Sequence, residues 1–147
     1  MTKINRISSA IATCALLALA AGFDATLRAQ DKSVADGVFT AEQAMHGAMV
    51  YAEQCASCHG EKMEGIADLF PALTGDPFVK NWTGKSVGEL YEKIATTMPA
   101  LDPGSMKPDQ VAEVVAHILS SSKYPAGTTP LAASADQLKT IKINAPK

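Results

Sequence analysis

The feature that most constrains the fold is a pair of cysteines followed at once by a histidine, at Cys55, Cys58 and His59. Positions three apart lie on the same face of a helical turn. Both sulfurs could therefore meet the two vinyl groups at one edge of a porphyrin, and the imidazole one step on could bind the iron. This spacing is typical of covalent attachment of a c-type haem. A chain that carries such a group is expected to fold around it.

Three other interpretations of the motif stand beside haem attachment. A thioredoxin-like redox pair has the same cysteine spacing but expects a strand–helix–strand setting, whereas the flanking residues here favour helix. A zinc site usually has four ligands, and the histidines that accompany the two motif cysteines are His46, His59 and His117. A structural disulfide would leave His59 unexplained. Haem attachment accounts for the whole motif.

The first 29 residues are predicted to be a secretory signal peptide. Lys3 and Arg6 give a positive start, and an uncharged stretch rich in Ala and Leu follows over residues 7–23. We place the cut after Ala29, within a range of about residues 21–30. An uncleaved anchor is the alternative, but the stretch is short for a span of about 20 apolar residues. We therefore expect a periplasmic protein whose mature form does not insert into the membrane.

Residues 30–147 would then form one small domain, with a core over about residues 40–120 and a tail over residues 121–147. The whole chain has 13 basic and 15 acidic residues. The leader removes three of the basic and one of the acidic residues, which leaves 10 and 14 and a net charge of −4. This charge does not suit a nucleic-acid partner, and it suits a basic patch on a protein partner.

The pattern of caps and apolar residues predicts an all-α fold with three main helices. The segment 40–43 fits a capping box, and apolar residues at helical spacing follow it up to the motif. The segment 86–89 repeats this signature, and Pro99 ends the second helix. Pro108 lies in the first turn of the third helix, which the serines of 120–122 end.

The remaining segments are predicted to be loops. Residues 60–85 are interrupted by Gly and Pro and show no sustained period. Such a length inside a compact domain is expected where it wraps something, and a haem rim would qualify. The tail from Lys123 onwards is also predicted to be a loop, which Leu138, Ile141 and Ile143 fold back onto the domain.

With these features, the chain resembles the class I c-type cytochromes, which carry one haem. A Cys-x-x-Cys-His motif ends the first helix and a Met-Pro pair precedes the last one, and the similarity covers about residues 40–119. Three segments are also similar to cytochromes of periplasmic quinoprotein alcohol-dehydrogenase systems: FVKNWTGKSVGEL at 78–90, MPALDPGS at 98–105 and YPAG at 124–127. The resemblance implies a small cytochrome c fold, with three main helices wrapped around one covalent haem c and long loops between them.

The resemblance further implies a methionine as the second axial ligand of the iron. A Met/His pair raises the haem potential and closes the iron to other molecules. Met98, directly before Pro99, matches the Met-Pro position of the family. Met106 falls where the family usually has leucine, and it is the alternative ligand. A haem held by two histidines, through His117 or His46, is a further alternative.

Other roles follow from the same resemblance. The Pro71 carbonyl would accept a hydrogen bond from the proximal histidine and so fix its ring, although a proline that only stiffens the loop is the alternative. Trp82 would donate its indole N–H to a haem propionate, or would be an ordinary half-buried aromatic. Gly47 and Tyr51 match the packing between the first and last helices, and His117 stands where the family usually has an aromatic residue.

The function that the resemblance implies is electron transfer and not catalysis, so no catalytic residue is expected. The donor would be a dehydrogenase and the acceptor another cytochrome or a terminal oxidase, with the chain acting as a monomer or as a subunit of a complex. Redox contacts of this kind tend to be small and weak. The alternatives are a peroxidase-like haem enzyme, which needs an open iron position, and a gas-binding haem sensor.

Overall fold

Helices form the framework of residues 32–146, the part of the chain that the computed structural model describes. A 3₁₀ turn at Val34–Asp36 precedes six α-helices: α1 (Ala41–Gln54), α2 (Ala56–His59), α3 (Gly75–Trp82), α4 (Val87–Thr97), α5 (Pro108–Ser121) and α6 (Ala135–Leu138). Within this range isolated bridges occur but no β-strand. The all-α prediction is confirmed. The predicted signal peptide lies outside the described residues.

The central contact of the fold joins α1 to α5. A β-carbon at Gly47 would lie 1.8 Å from the carbonyl oxygen of Glu113, so glycine is required for this approach of the two backbones. The buried apolar residues of α5 include Val111, Val114, Val115 and Ile118. Gly47 is therefore explained by helix packing, because any side chain there would push α5 away.

A capping box has two hydrogen bonds, and at the start of α1 only one of the two predicted bonds is present. The Gln43 amide donates to Thr40 Oγ1 at 3.1 Å, as a capping residue requires. The Gln43 carboxamide does not return to Thr40. It pairs instead with the backbone of Leu131, donating to the carbonyl at 3.0 Å and accepting from the amide at 2.8 Å. These two bonds join the tail to the first helix.

The predicted boundaries of α4 are confirmed. Ser86 Oγ accepts from the Glu89 amide at 3.2 Å, and Glu89 Oε2 accepts from the Ser86 amide at 2.7 Å, which completes the capping box. These hydrogen bonds hold the pKa of Glu89 below its ordinary value. The helix ends at Thr97, directly before Met98 and Pro99.

Residues 60–85 differ from the prediction, because they contain the helix α3. Its eight residues include Gly75 and Pro77 in the first turn, where proline is tolerated because its missing N–H has no partner in any case. The helix is too short to show a sustained apolar period, and it buries one large side chain completely, that of Phe78. The prediction of a continuous loop over this range was wrong.

The tail folds back onto the domain, as predicted, and also contains the short helix α6. Its apolar anchors Leu138, Ile141 and Ile143 are all buried. The Ile143 amide donates to the Lys85 carbonyl at 2.9 Å, and the Val87 amide donates to the Ile141 carbonyl at 2.8 Å. The tail therefore packs along the start of α4. Between residues 32 and 146, no helix has the length and apolar character needed to cross a membrane.

Candidate functional site

The Cys-x-x-Cys-His motif forms a tight helical turn directly after α1. Cys55 has a non-helical conformation (φ −126°, ψ −34°) and separates α1 from α2. Its carbonyl accepts from the Cys58 amide at 3.1 Å and from the His59 amide at 2.9 Å. Both cysteines are half-buried, and His59 is only 7 % exposed. The turn therefore gathers two sulfurs and one imidazole in a single short segment.

The surroundings of the two cysteines do not match those of a redox-active pair. Both are free thiols. Burial, and then the charge of Cys58, raises the pKa of Cys55 to about 11. A redox-active cysteine needs the opposite, a thiolate stabilised at neutral pH. The zinc interpretation gains no support either, because no three His, Cys, Asp or Glu side chains are grouped to hold a metal ion within residues 32–146.

The ring of His59 is held from one side by the backbone. Its Nδ1 lies 2.8 Å from the carbonyl oxygen of Pro71, and since a carbonyl only accepts, Nδ1 carries the proton. In the neutral ring Nε2 then carries the lone pair, and it makes no hydrogen bond to any described residue. The ring of Phe70 lies edge-on at a centroid distance of 6.1 Å. A histidine prepared in this way is suited to bind a metal through Nε2.

The loop after the motif is folded so that Pro71 reaches the histidine. The Gly65 amide donates to the His59 carbonyl at 2.8 Å, and the Leu73 amide donates to the carbonyl of the buried Met63 at 2.9 Å. The Tyr51 hydroxyl donates to the Gly60 carbonyl at 2.6 Å. Burial, with smaller effects of the Cys55 and Glu64 charges, raises the pKa of Tyr51 to about 12, so this donor keeps its proton at neutral pH.

The two methionines proposed as the second ligand lie at opposite ends of the segment between α4 and α5. Met98 follows α4 directly, and its amide donates to the Ile94 carbonyl at 3.0 Å. Met106 lies two residues before α5. Both side chains are half-buried and pack against the core. This similarity leaves the preference for Met98 over Met106 a prediction.

Trp82 lies at the end of α3, with its ring beside Phe78 at a centroid distance of 6.3 Å. Lys85 Nζ lies 4.7 Å from the centroid of the indole ring, which is within cation–π range. The indole N–H makes no hydrogen bond to the described residues, so the predicted bond to a propionate would not displace one. Lys85 was missed at the level of sequence. Its spacing of three from Trp82 was the available signal.

The other two histidines take part in contacts between α1 and α5. His46 Nδ1 lies 3.6 Å from Glu113 Oε1, near the solvent. The His117 ring packs against Tyr51 at a centroid distance of 5.6 Å, and burial lowers the pKa of His117. These contacts favour a packing role for both residues over the alternative of a second axial histidine.

The motif, together with a set of partly buried apolar residues, fits a haem. Apolar side chains from several segments are only partly buried against the core: Cys55, Ala56, Leu73, Val79, Trp82, Ala95, Met98 and Met106. Burying apolar surface of this kind is favourable, and a porphyrin is a large apolar plane that could cover it. A covalent haem needs two thiols close together, a histidine with a free Nε2 and an apolar surface to cover. These residues can supply all three.

Comparisons with known proteins give the family and a protein of similar fold. Residues 42–118, just over half of the chain, match the family model described as cytochrome c oxidase, cbb3-type, subunit III. The crystal structure of the sulfane dehydrogenase SoxCD from Paracoccus pantotrophus is similar in fold, with a TM-score of 0.54 and 18 % sequence identity. The similarity covers 77 % of this chain and 60 % of that one, less than two thirds of its length. A search of curated proteins gave no significant match.

Proposed function

Since the chain belongs to the family of cytochrome c oxidase, cbb3-type, subunit III, we propose that it is a one-electron carrier with a single covalent haem c. Membership confirms the class I c-type cytochrome that the sequence resembles. A cytochrome c domain implies haem c and electron transport. The finer proposal is that Cys55 and Cys58 would form the two thioether bonds, and that His59 and Met98 would hold the iron.

The observation that carries this proposal is the hydrogen bond of 2.8 Å between His59 Nδ1 and the Pro71 carbonyl. It fixes the tautomer and the orientation of the ring before any metal binds. An axial histidine needs this arrangement, because the second ring nitrogen must present its lone pair to the iron. A histidine that only packed in the core would have no need for a free Nε2.

The chain's own residues are suited to hold the group without moving. When bound, the haem supplies an iron that alternates between the ferric and ferrous states. The Pro71 carbonyl would keep the His59 ring in one orientation. The bond from Tyr51 to the Gly60 carbonyl fixes the chain directly after the histidine. Ligands that stay in place favour electron transfer over catalysis, which needs an open iron position.

The proposed setting is the periplasm, with export directed by the leader over residues 1–29. The donor would be a dehydrogenase, such as a quinoprotein dehydrogenase, and the acceptor would be another cytochrome or a terminal oxidase. The description of the family names an oxidase subunit, and the protein of similar fold is a dehydrogenase. Both descriptions support a position between a dehydrogenase and an oxidase, either as a free carrier or as a subunit.

The proposal is tested by expressing the full chain in a host that matures c-type cytochromes. We expect a red periplasmic protein that keeps its haem after denaturation and has the mass of the cleaved chain plus one haem. Its ferric and ferrous spectra should be low-spin, and carbon monoxide should leave the ferrous spectrum unchanged. A colourless protein with the mass of the bare chain would refute haem attachment. Rapid binding of carbon monoxide would favour the enzyme or the sensor.

A further inference from the structure

A turn close to the haem motif exposes two large apolar side chains. The Ile66 amide donates to the Phe70 carbonyl and the Phe70 amide donates to the Ile66 carbonyl, both at 2.9 Å, which closes a tight turn. Ile66 is 48 % exposed and Leu69 is 72 % exposed. We call residues 66–69 the exposed turn. Its apolar side chains lie at the surface although the backbone around them is well hydrogen-bonded, so their exposure is a property of a defined structure.

Acidic residues lie within and directly before the exposed turn in the sequence. Glu61, Glu64 and Asp68 are all exposed, and Lys62 is the one basic residue of the segment 61–69. The asymmetry extends further, because residues 33–79 contain seven acidic residues and one lysine, whereas residues 80–146 contain six acidic residues and seven lysines. The part of the sequence that carries the motif is therefore the more acidic part.

The exposed turn is connected directly to the candidate axial histidine. Leu69 is followed by Phe70, whose ring lies edge-on to His59, and then by Pro71, whose carbonyl holds the His59 ring. A surface bound to Leu69 would thus be separated from these contacts by one or two residues. A partner docked at the exposed turn would therefore contact the segment that holds the candidate axial histidine.

We infer that the exposed turn and its acidic rim are a docking surface for a redox partner that presents a basic patch around an apolar centre. The inference rests on the proposed function and adds the chemistry of the partner. The apolar centre would exclude water from a small interface. The acidic rim would steer the encounter, because rim charges act mainly on the association rate and on its salt dependence. An acidic or wholly polar partner surface would not fit.

The test uses the mature haem-containing protein and a gold electrode coated with a mixed monolayer of ammonium-terminated and methyl-terminated thiols. This monolayer reproduces a basic surface with apolar patches. The measured quantities are the amount of electroactive protein and its electron-transfer rate, at about 10 mM and about 0.5 M salt, where screening is weak and strong. A carboxylate-terminated monolayer is the comparison surface.

One pair of variants tests the charges. Glu61→Gln with Asp68→Asn removes two rim charges. Asp68 has a positive φ of 64°, and asparagine tolerates this conformation. The matched control removes two exposed charges elsewhere, by Glu42→Gln with Glu92→Gln. At low salt we expect the coverage or the rate of the rim variant to fall roughly fivefold, as two modest surface charges would give. The coverage and the rate of the control variant should fall by less than about twofold.

A second pair tests the apolar centre. Leu69→Ser should lower coverage or rate at high salt, where charge attraction is screened and apolar contact remains. Met45→Gln is the control, because Met45 is 64 % exposed on α1 and glutamine is a good helix former. The Met45 variant should behave like the unmodified protein at both salt concentrations.

The result that would overturn the inference is equal behaviour of each variant and its control, or faster electron transfer on the carboxylate monolayer than on the ammonium one. The absorption spectrum and midpoint potential of every variant are measured first and should be unchanged. If the protein contains no haem, the proposed function fails as well. If haem is present and the variants match their controls, the docking surface alone is refuted.

Discussion

Replacing Gly47 by alanine is expected to destabilise the protein, although alanine is the better helix former. In an exposed helix the exchange would stabilise by about 1 kcal/mol, because glycine is the more flexible residue in the unfolded chain. Here the new β-carbon would lie 1.8 Å from the Glu113 carbonyl oxygen, whereas ordinary contacts begin at 3.4 Å. Since the obstacle is backbone, α5 must move away from α1.

The magnitude follows from these two opposing effects. Overpacking in a core costs about 1–3 kcal/mol, and a clash with the backbone of a packed helix lies at the upper end or above it. After the gain in helix propensity, we expect a net loss of about 2–3 kcal/mol in the free energy of unfolding. For a domain of this size, that loss lowers the melting temperature by roughly 10 °C.

The assay is denaturant unfolding of the ferric, haem-containing protein, followed by far-UV circular dichroism. Ala52→Gly is the control, because Ala52 is exposed in the same helix and the change should cost only about 1 kcal/mol of helix propensity. If Gly47→Ala leaves the free energy of unfolding unchanged or raises it, the close contact between α1 and α5 is wrong. A loss no larger than that of Ala52→Gly would contradict the estimate.

Two further predictions concern single side chains. Met98→Ala should abolish the sulfur-to-iron absorption band of the ferric protein, whereas Met106→Ala should retain it; the reverse result would make Met106 the ligand. His117 should make stability depend on pH. Burial lowers its pKa in the fold, so the unfolded chain binds the proton more readily and stability rises with pH. The contribution of His117 to the free energy of unfolding is complete above the pKa of histidine in the unfolded chain, about 6.5, and it falls as the pH decreases below that value. His117→Phe should remove this part of the pH dependence of unfolding, and an unchanged slope would contradict it.

The elements that could be predicted from the sequence are those with local signals. The capping box of Ser86 and Glu89 and the stop at Pro99 fix α4 through contacts within a few residues. The helix α3 was missed because eight residues with Gly75 and Pro77 in the first turn carry no helical period. The pairing of Gln43 with Leu131 spans 88 residues, and Gln43 fits a capping box equally well. Local patterns do not contain such long-range pairings.

The candidate site also has one part with a local sequence signal and another part that depends on long-range folding. The spacing of Cys55, Cys58 and His59 requires only that the chain be helical at that point, and the structure provides this turn. The approach of Pro71 to His59 depends on the path of a loop with no regular period, so only the family resemblance suggested it. Met98 and Met106 are both half-buried, and burial does not choose between them.

The hydrogen bonds that hold the candidate axial histidine are made with backbone groups. His59 bonds through its ring to the Pro71 carbonyl and through its own carbonyl to the Gly65 amide. Both partners are backbone groups, so the bond to Pro71 does not depend on its side chain. Gly65 is constrained for another reason, because its φ is +68° and a β-carbon there would lie 2.4 Å from the Phe70 carbonyl oxygen. What must be preserved is therefore the length and path of the loop, here 12 residues from His59 to Pro71. A deletion within the exposed turn should consequently disturb the histidine more than most substitutions there.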